Sequence, residues 1–549
     1  MESGRKDRWL LLILLLVACV ARISYMSART AVISNEGALY AIMADDLSAG
    51  LAFPHVPIGN RPQLTAGWFY PILISGVTLL TRNSELAARL ISMMAGLALI
   101  VAEFYLARLL YGRAAGWIAA ILTAAFPLLV AFSVTAYTEV FYMGLLMWAV
   151  YFSLRTFEQN RGLSWLRAGI LFGCAYLTRP ESLVFPAVVA MLILASARIQ
   201  RWELPPAARA SAGLILVFVG LAAPSIFLFK TYTGRFLLEG KNKLNYTIGQ
   251  RVLSGLSPAE AARGIDANLN PVGPQLTPLR YAYYTPYPAK PLDLVRYFTR
   301  SARRNQGWVF REVVPSFANG SVLIWMLAGI GLFSTAWDVT RLLREAVLLF
   351  GVFFIFVMLL SVHMELFRYS LPLLPFLLLW SSFGIVTISG WAKGTALNVF
   401  GGYKSIIRAA EISFAVIPIG LLLVAGTAGL RYVSELKEDL PENQPLKEAG
   451  LWLRTHYTSR PMLMSVGDIV PYYARADWMP LPYADSSLAL QYVESKNPDV
   501  LILSYMDEGA TPYASTWLKN GIPDAHAHLI FQTGDDSGHP VRIYRWSTP

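Results

Sequence analysis

Two cysteines, Cys19 and Cys174, are all that the 549 residues hold. They lie far apart in apolar stretches, so no disulfide framework or Cys-based zinc site can be built from them. Charge is scarce as well. Asp, Glu, Lys and Arg make up 15% of the chain, against about 25% in an ordinary soluble protein. There is no glycine-rich phosphate loop, so nucleotide binding has no support. Internal repeats and low-complexity tracts are absent. His363 has Glu365 two residues on, but a single histidine is a poor metal ligand and a helix-end pair is the simpler reading. No metal site and no cofactor are expected; a divalent cation remains compatible with the sequence.

What the chain has in abundance is hydrocarbon: 55% of its residues are hydrophobic. Apolar runs of roughly 18 or more residues, the length that crosses about 30 Å of bilayer core, recur along it. The fold class expected is a polytopic α-helical membrane protein. Eleven spans are read, near 9–28, 86–109, 115–134, 138–154, 164–178, 182–198, 211–230, 319–336, 345–362, 369–390 and 409–430. Arg5, Lys6 and Arg8 before Leu10–Leu16 resemble a signal peptide, but the many later spans favour an uncleaved first helix. The short apolar stretch 66–80, opened by Trp68, Phe69 and Tyr70, reads as a helix lying in the membrane interface, where aromatic rings are favoured. Counting it as a span would export Arg108, Arg113, Arg155, Arg161, Arg198, Arg201 and Arg209. Leaving it in the interface keeps all of them cytoplasmic, as loop charge bias requires. The net charge of +11 has the same origin, and nucleic acid is not an expected partner.

Three regions are then exported: 29–85, 231–318 and the tail 431–549. The domain division expected is a membrane domain, 1–430, and a small soluble α/β domain, 431–549. In the tail, Leu446–His456 reads as an amphipathic helix. Met462–Val466, Val500–Ser504, Leu529–Gln532 and Val541–Trp546 read as strands, the last two joined by the turn Gly534-Asp535-Asp536-Ser537-Gly538.

With this topology, charged groups gather at the outer ends of the spans. Glu36 and Asp45-Asp46 follow the first span, Glu139 stands between spans three and four, and Arg179-Pro180-Glu181 joins spans five and six. Arg235, Glu239, Lys241 and Lys243 follow span seven; His363, Glu365 and Arg368 lie between spans nine and ten. Charges at the hydrocarbon boundary are costly to dehydrate and are usually paired or functional. Each has a plainer reading: Thr138-Glu139 suits a helix start, Arg179 and Glu181 suit a pair at a proline turn, and Arg368 suits snorkelling. Their common side is the stronger signal. Transfer of a sugar from a lipid phosphate needs a carboxylate base and cations for the departing phosphate, and arginine binds phosphate oxygens bidentately. Tyr281, Tyr283, Tyr284 and Tyr287 are candidates for a sugar groove.

The chain resembles the GT-C integral-membrane glycosyltransferases, in particular the bacterial branch of family 39 type related to protein O-mannosyltransferases and the lipid A aminoarabinose transferase. The resemblance rests on Asn35-Glu36-Gly37-Ala38-Leu39-Tyr40, Phe69-Tyr70-Pro71, Thr138-Glu139, Thr178-Arg179-Pro180-Glu181, Thr233-Gly234-Arg235 and Arg368-Tyr369-Ser370-Leu371-Pro372-Leu373-Leu374-Pro375. It spans roughly residues 1–430. It implies Glu36 as the base and Glu139 as the second-loop carboxylate. The family often has Asp-Glu or a lone Asp at the base; here Asn35 precedes Glu36. Phe69-Tyr70-Pro71 stands where the family has His or Lys before Pro-Pro-Leu, so Arg61 is the expected substitute cation. Arg179, Lys241 and Arg368 complete the expected donor-phosphate site, with Tyr40, Asp45, Glu181, Arg235, His363 and Glu365 as further site candidates.

The function so implied is an inverting transfer of a hexosyl or pentosyl group from a polyprenyl-phosphate sugar to a lipid, glycan or protein acceptor. The expected location is the periplasmic face of the inner membrane. Two alternatives stand beside it: a transporter or flippase for lipid-linked glycans, and a polymerase or ligase acting on them. Transporters place polar groups near the bilayer midplane on broken helices, often in repeated halves.

Overall fold

The computed structural model describes residues 2–28, 32–50, 55–56, 61–62, 66–157, 162–199, 204–276, 291–314, 322–362, 367–401, 403–427, 430 and 441–547. Among them, seven helices are long and apolar enough to cross a bilayer: Arg5–Ala28, Ser84–Tyr111, Pro180–Ile199, Leu204–Thr233, Val339–Ser361, Leu373–Phe400 and Lys404–Thr427. In hydrocarbon every backbone N–H and C=O must be bonded within the segment, which leaves the helix as the form these runs can take.

The other four segments read as spans are helical too, but do not meet that measure. One is cut into Arg113–Ala125 and Pro127–Phe132. Phe126, forced by the following proline into an extended conformation, ends the first piece. The others are Glu139–Thr156, Ser164–Thr178 and Leu323–Phe333. All of these helices contribute buried residues to one continuous core. Close crossings tighten it. A Cβ added at Gly331 would overlap the Trp380 carbonyl, and one at Gly384 the Leu327 carbonyl, the small-residue contact typical of membrane helix pairs. Phe69–Thr81 is a helix of 13 residues, about 20 Å long and so short of the hydrocarbon thickness.

At one end of the bundle Asp7 accepts from Arg108 at 2.8 Å and from Arg113 at 2.6 and 2.9 Å. At the other end sits the tail. Its five strands run in the order β4-β3-β5-β7-β6, where β3 is Met462–Ser465, β4 Asp477–Pro480, β5 Val500–Ser504, β6 Ala527–Thr533 and β7 Val541–Trp546. The β4-β3-β5 half is parallel; β5-β7-β6 is antiparallel. The β6–β7 hairpin turns through Gly534 and Gly538, both at positive φ, which glycine adopts without steric cost. Helix Gln444–His456 lies where the amphipathic segment was read. β4 was not anticipated, because Asp477-Trp478-Met479-Pro480 has neither an apolar run nor strict alternation.

Several contacts fix the tail on the rest of the chain. Helix Ile469–Ala474 packs on helix Asn35–Ser48. The buried Arg263, last residue of helix Pro258–Arg263, donates to the carbonyls of Leu481 at 3.3 Å and Ala510 at 2.7 Å.

Candidate active site

Glu36 stands in the first turn of helix Asn35–Ser48. Ser34 caps that turn, its hydroxyl accepting the Gly37 N–H at 3.0 Å, a standard device for a helix start. Gly37 lets the turn press on the next loop: a Cβ there would lie 2.9 Å from the Ala136 methyl. Three residues past Ala136, Glu139 opens helix Glu139–Thr156. The glycine of the motif therefore brings two carboxylates from distant stretches to one place.

Arg368 joins them. It forms an ion pair with Glu36 Oε2 and lies 3.7 Å from Glu139 Oε1. Its guanidinium stands 5.1 Å from the ring centre of Tyr137 and 5.5 Å from that of Tyr369. Arg179 binds Glu139 Oε1 at 3.0 Å and Glu181 Oε1 at 3.2 Å, with the Tyr142 ring 5.7 Å away. Tyr40, one helical turn after Glu36, donates to Glu36 Oε1 at 2.8 Å. Lys241, first residue of helix Lys241–Leu253, acts electrostatically on both Glu36 and Glu181. Three carboxylates thus face three cations. Glu139 is fully buried, and its Oε2 has no hydrogen-bond partner among the described residues; nor has Arg368 Nη1. An unsatisfied acceptor and an unsatisfied donor in one buried cluster leave capacity for a ligand.

The Glu36 side chain is 24% exposed, which leaves an opening to the cluster. Burial acts to raise its pKa. Arg368, then Lys241 and Arg179, and finally the Tyr40 hydroxyl outweigh that effect and hold it at about 2. The group is an ionised carboxylate at any physiological pH.

A small cleft lies beside Pro180 and Lys241, lined by Trp68, Leu177, Phe229 and Leu238 together with Ser225 and Glu239. Gly67 makes it possible, since a Cβ there would overlap the Thr178 carbonyl. The cleft mixes apolar and polar side chains and reaches Lys241.

Asp45 is nine residues after Glu36 on the same helix, roughly 13 Å along the axis. Burial raises its pKa, against a hydrogen bond from Ser84 and the charges of Arg475 and Arg454. It therefore belongs to the contact with the tail and not to the cluster, because nine residues of helix carry it past the site. Arg235 is exposed in the turn after Thr233. Arg61 stands on β2, Arg61–Pro62, opposite Val56 of the two-residue strand β1, His55–Val56. His363, Glu365, Tyr281, Tyr283, Tyr284 and Tyr287 lie outside the described residues. Sequence reading missed Tyr137 and Tyr142, whose rings flank the two arginines. Their spacing around Glu139, two before and three after, was the available signal. No group of three or more His, Cys, Asp or Glu side chains suited to a metal is found among the described residues.

A helical membrane bundle with this cluster at one end and a small α/β sheet domain over it has the GT-C fold of integral-membrane glycosyltransferases. Residues 66–224 match the family model described as dolichyl-phosphate-mannose-protein mannosyltransferase. Among solved structures, ArnT from Cupriavidus metallidurans bound to undecaprenyl phosphate is similar at a TM-score of 0.60 and 14% identity, over 97% of this chain and 98% of that one. The archaeal oligosaccharyltransferase AglB from Archaeoglobus fulgidus, in complex with an inhibitory peptide and a dolichol-phosphate, is similar at 0.58 and 14% identity. That match covers 99% of this chain and 75% of that one. At such identity the likeness is one of fold. Comparison with curated proteins gives no match.

Proposed function

We propose that the chain is an inverting glycosyltransferase that moves a sugar from a polyprenyl-phosphate donor to an acceptor on the extracytoplasmic face of the membrane. The observation that carries this reading is Arg368 standing between Glu36 and Glu139, in a cluster whose Lys241 also lines a cleft with Trp68, Leu177, Phe229 and Leu238. The lipid phosphates bound by the two similar structures support the same donor chemistry.

With a hydroxyl acceptor, Glu36 takes the O–H proton as the acceptor oxygen bonds to the anomeric carbon. The bond from that carbon to the phosphate oxygen breaks, and the phosphate leaves with the electron pair. Its charge grows by one unit, and Arg368, Arg179 and Lys241 neutralise it. Glu139 fixes both arginines from beneath. The cleft receives the carrier's hydrocarbon sideways from the bilayer. Loop charge bias supports an outward-facing site in the inner membrane, with residues 1–430 as the membrane domain and 431–549 as the exported domain over it.

Glu36→Gln in membranes supplied with a radiolabelled polyprenyl-phosphate sugar should lose transfer by about 10²–10⁴-fold. Undiminished transfer would remove Glu36 as the base. Movement of labelled lipid across the bilayer without cleavage of the sugar–phosphate bond would favour a flippase.

A further inference from the structure

Asn35 and Glu36 are neighbours on one helical turn and serve different partners. Glu36 enters the charged cluster. The Asn35 side chain turns away from it, and its Oδ1 accepts the backbone N–H of Asp468 at 2.9 Å. Asp468 immediately precedes helix Ile469–Ala474 of the tail. The contact has no slack: a Cβ added at Gly467 would overlap Asn35 Oδ1. The Gly467 carbonyl is itself held by the Ser465 hydroxyl at 2.8 Å. Two tyrosines extend the seam. Tyr473 accepts the Ile33 N–H at 3.4 Å and donates to Glu85 Oε2 at 2.8 Å. The Tyr472 hydroxyl meets the Ser84 hydroxyl at 3.0 Å. Residues 465–473 therefore grip both the segment leading into the Glu36 turn and the start of helix Ser84–Tyr111.

Resting on Glu36 as the base, we infer that Asn35 is a positioning residue: by accepting the Asp468 N–H it clamps the tail onto the turn that carries Glu36 and fixes that carboxylate at the reacting centre. Ser34 pins the turn from within, and Asn35 pins it from outside. Because residues 35 and 36 share a peptide bond, a shift of one moves the other. A misplacement of about 1 Å at a reacting group can cost up to ~100-fold in rate. An amide oxygen at position 35 meets the backbone donor without adding a negative charge beside Glu36.

The test uses the full chain in proteoliposomes with a labelled polyprenyl-phosphate sugar. Asn35→Leu keeps the size and removes the acceptor. Gly467→Ala displaces the acceptor. Each should lower kcat by about 10-fold or more, with the donor KM unchanged. Asn35→Asp, which keeps an acceptor oxygen, should restore most of kcat. In an Asn35→Ala background, Gly467→Ala should cost nothing further, because the obstructing atom is gone. Hydrogen exchange at the Asp468 amide, which needs no turnover, should be slow in the parent and fast in Asn35→Leu. Full kcat in Asn35→Leu, a raised KM in place of a lowered kcat, or a still-protected Asp468 amide would each overturn the clamp. Retained transfer by Glu36→Gln would strike the base assignment alone, since the amide exchange reports the clamp independently.

Discussion

Arg368 decides the state of Glu36. The carboxylate sits in a place that dehydrates it, and it remains ionised because Arg368 is its foremost counter-charge, followed by Lys241 and Arg179. The sign of the consequence is fixed. With the native pKa near 2, the base form persists through the whole useful pH range and the rate shows no acid limb from Glu36. Arg368→Gln removes the largest lowering influence, so the limb should move upward into the ordinary carboxylate range while transfer falls by about 10²–10³-fold. A pH–rate profile of kcat for the two proteins checks both parts; an unmoved limb with a lowered rate would mean that Arg368 serves the phosphate alone. Arg179 should tolerate lysine poorly, because one ammonium cannot reproduce the fork that joins Glu139 to Glu181. At this scale the motifs read in the sequence supply residues that converge in space: Glu36, Tyr40, Glu139, Arg179, Glu181, Lys241 and Arg368. Asp45 stands apart from them, because nearness in sequence to Glu36 does not offset the rise of the helix between them.

Among the elements, β5 and the turn after it carry the clearest pH signature. Asp507 ends a capping box with Ser504, accepting its N–H at 2.7 Å. Burial raises the Asp507 carboxyl to about 7, against the Ser504 hydrogen bonds and the charge of Arg263. An unfolded aspartate titrates near 4, so the folded domain holds this proton more tightly than the unfolded one. The cost of the buried charge is present above about pH 7 and fades as the pH falls towards about 4. Asp507→Asn should therefore stabilise the tail at pH 8 and change little at pH 4. Pulse proteolysis across a urea series at the two pH values would show it, and equal effects at both would contradict it. The strands and the first helix of this domain were legible from apolar runs. β4 was not, because its place comes from pairing with β3 and not from its own pattern. In the membrane part, each apolar run read as a span holds helix, but its length was not legible: Pro127 divides one, and three others are shorter or less apolar than a full crossing requires.

For the molecule as a whole, the cluster and the tail share one end of the bundle, and Asp7, Arg108 and Arg113 hold the other. The exposed Leu451 of the tail and the exposed Leu163, in the turn before helix Ser164–Thr178, should then lie on opposite sides of the membrane. In a background with Cys19 and Cys174 replaced by serine, an impermeant thiol reagent applied to right-side-out vesicles should label Leu451→Cys and spare Leu163→Cys. The reverse pattern would invert the orientation that loop charges imply. A lysine or arginine bias survives in linear sequence and so offers an orientation to test, whereas the seam between tail and bundle, made by Asn35, Tyr472 and Tyr473, leaves no local trace. The even balance of three acids and three bases in the cluster carries one more consequence. With both guanidiniums already ion-paired to carboxylates and a single Arg368 nitrogen left over, an inorganic phosphate drifting in from water gains little by docking there. An anion that arrives tethered to a long isoprenoid chain brings its own affinity, about 0.8 kcal/mol for each methylene removed from water, and can dislodge a resident carboxylate. Salt-like competitors should then inhibit only at concentrations far above those at which a lipid phosphate does, so that the membrane itself acts as the filter for what reaches the chemistry.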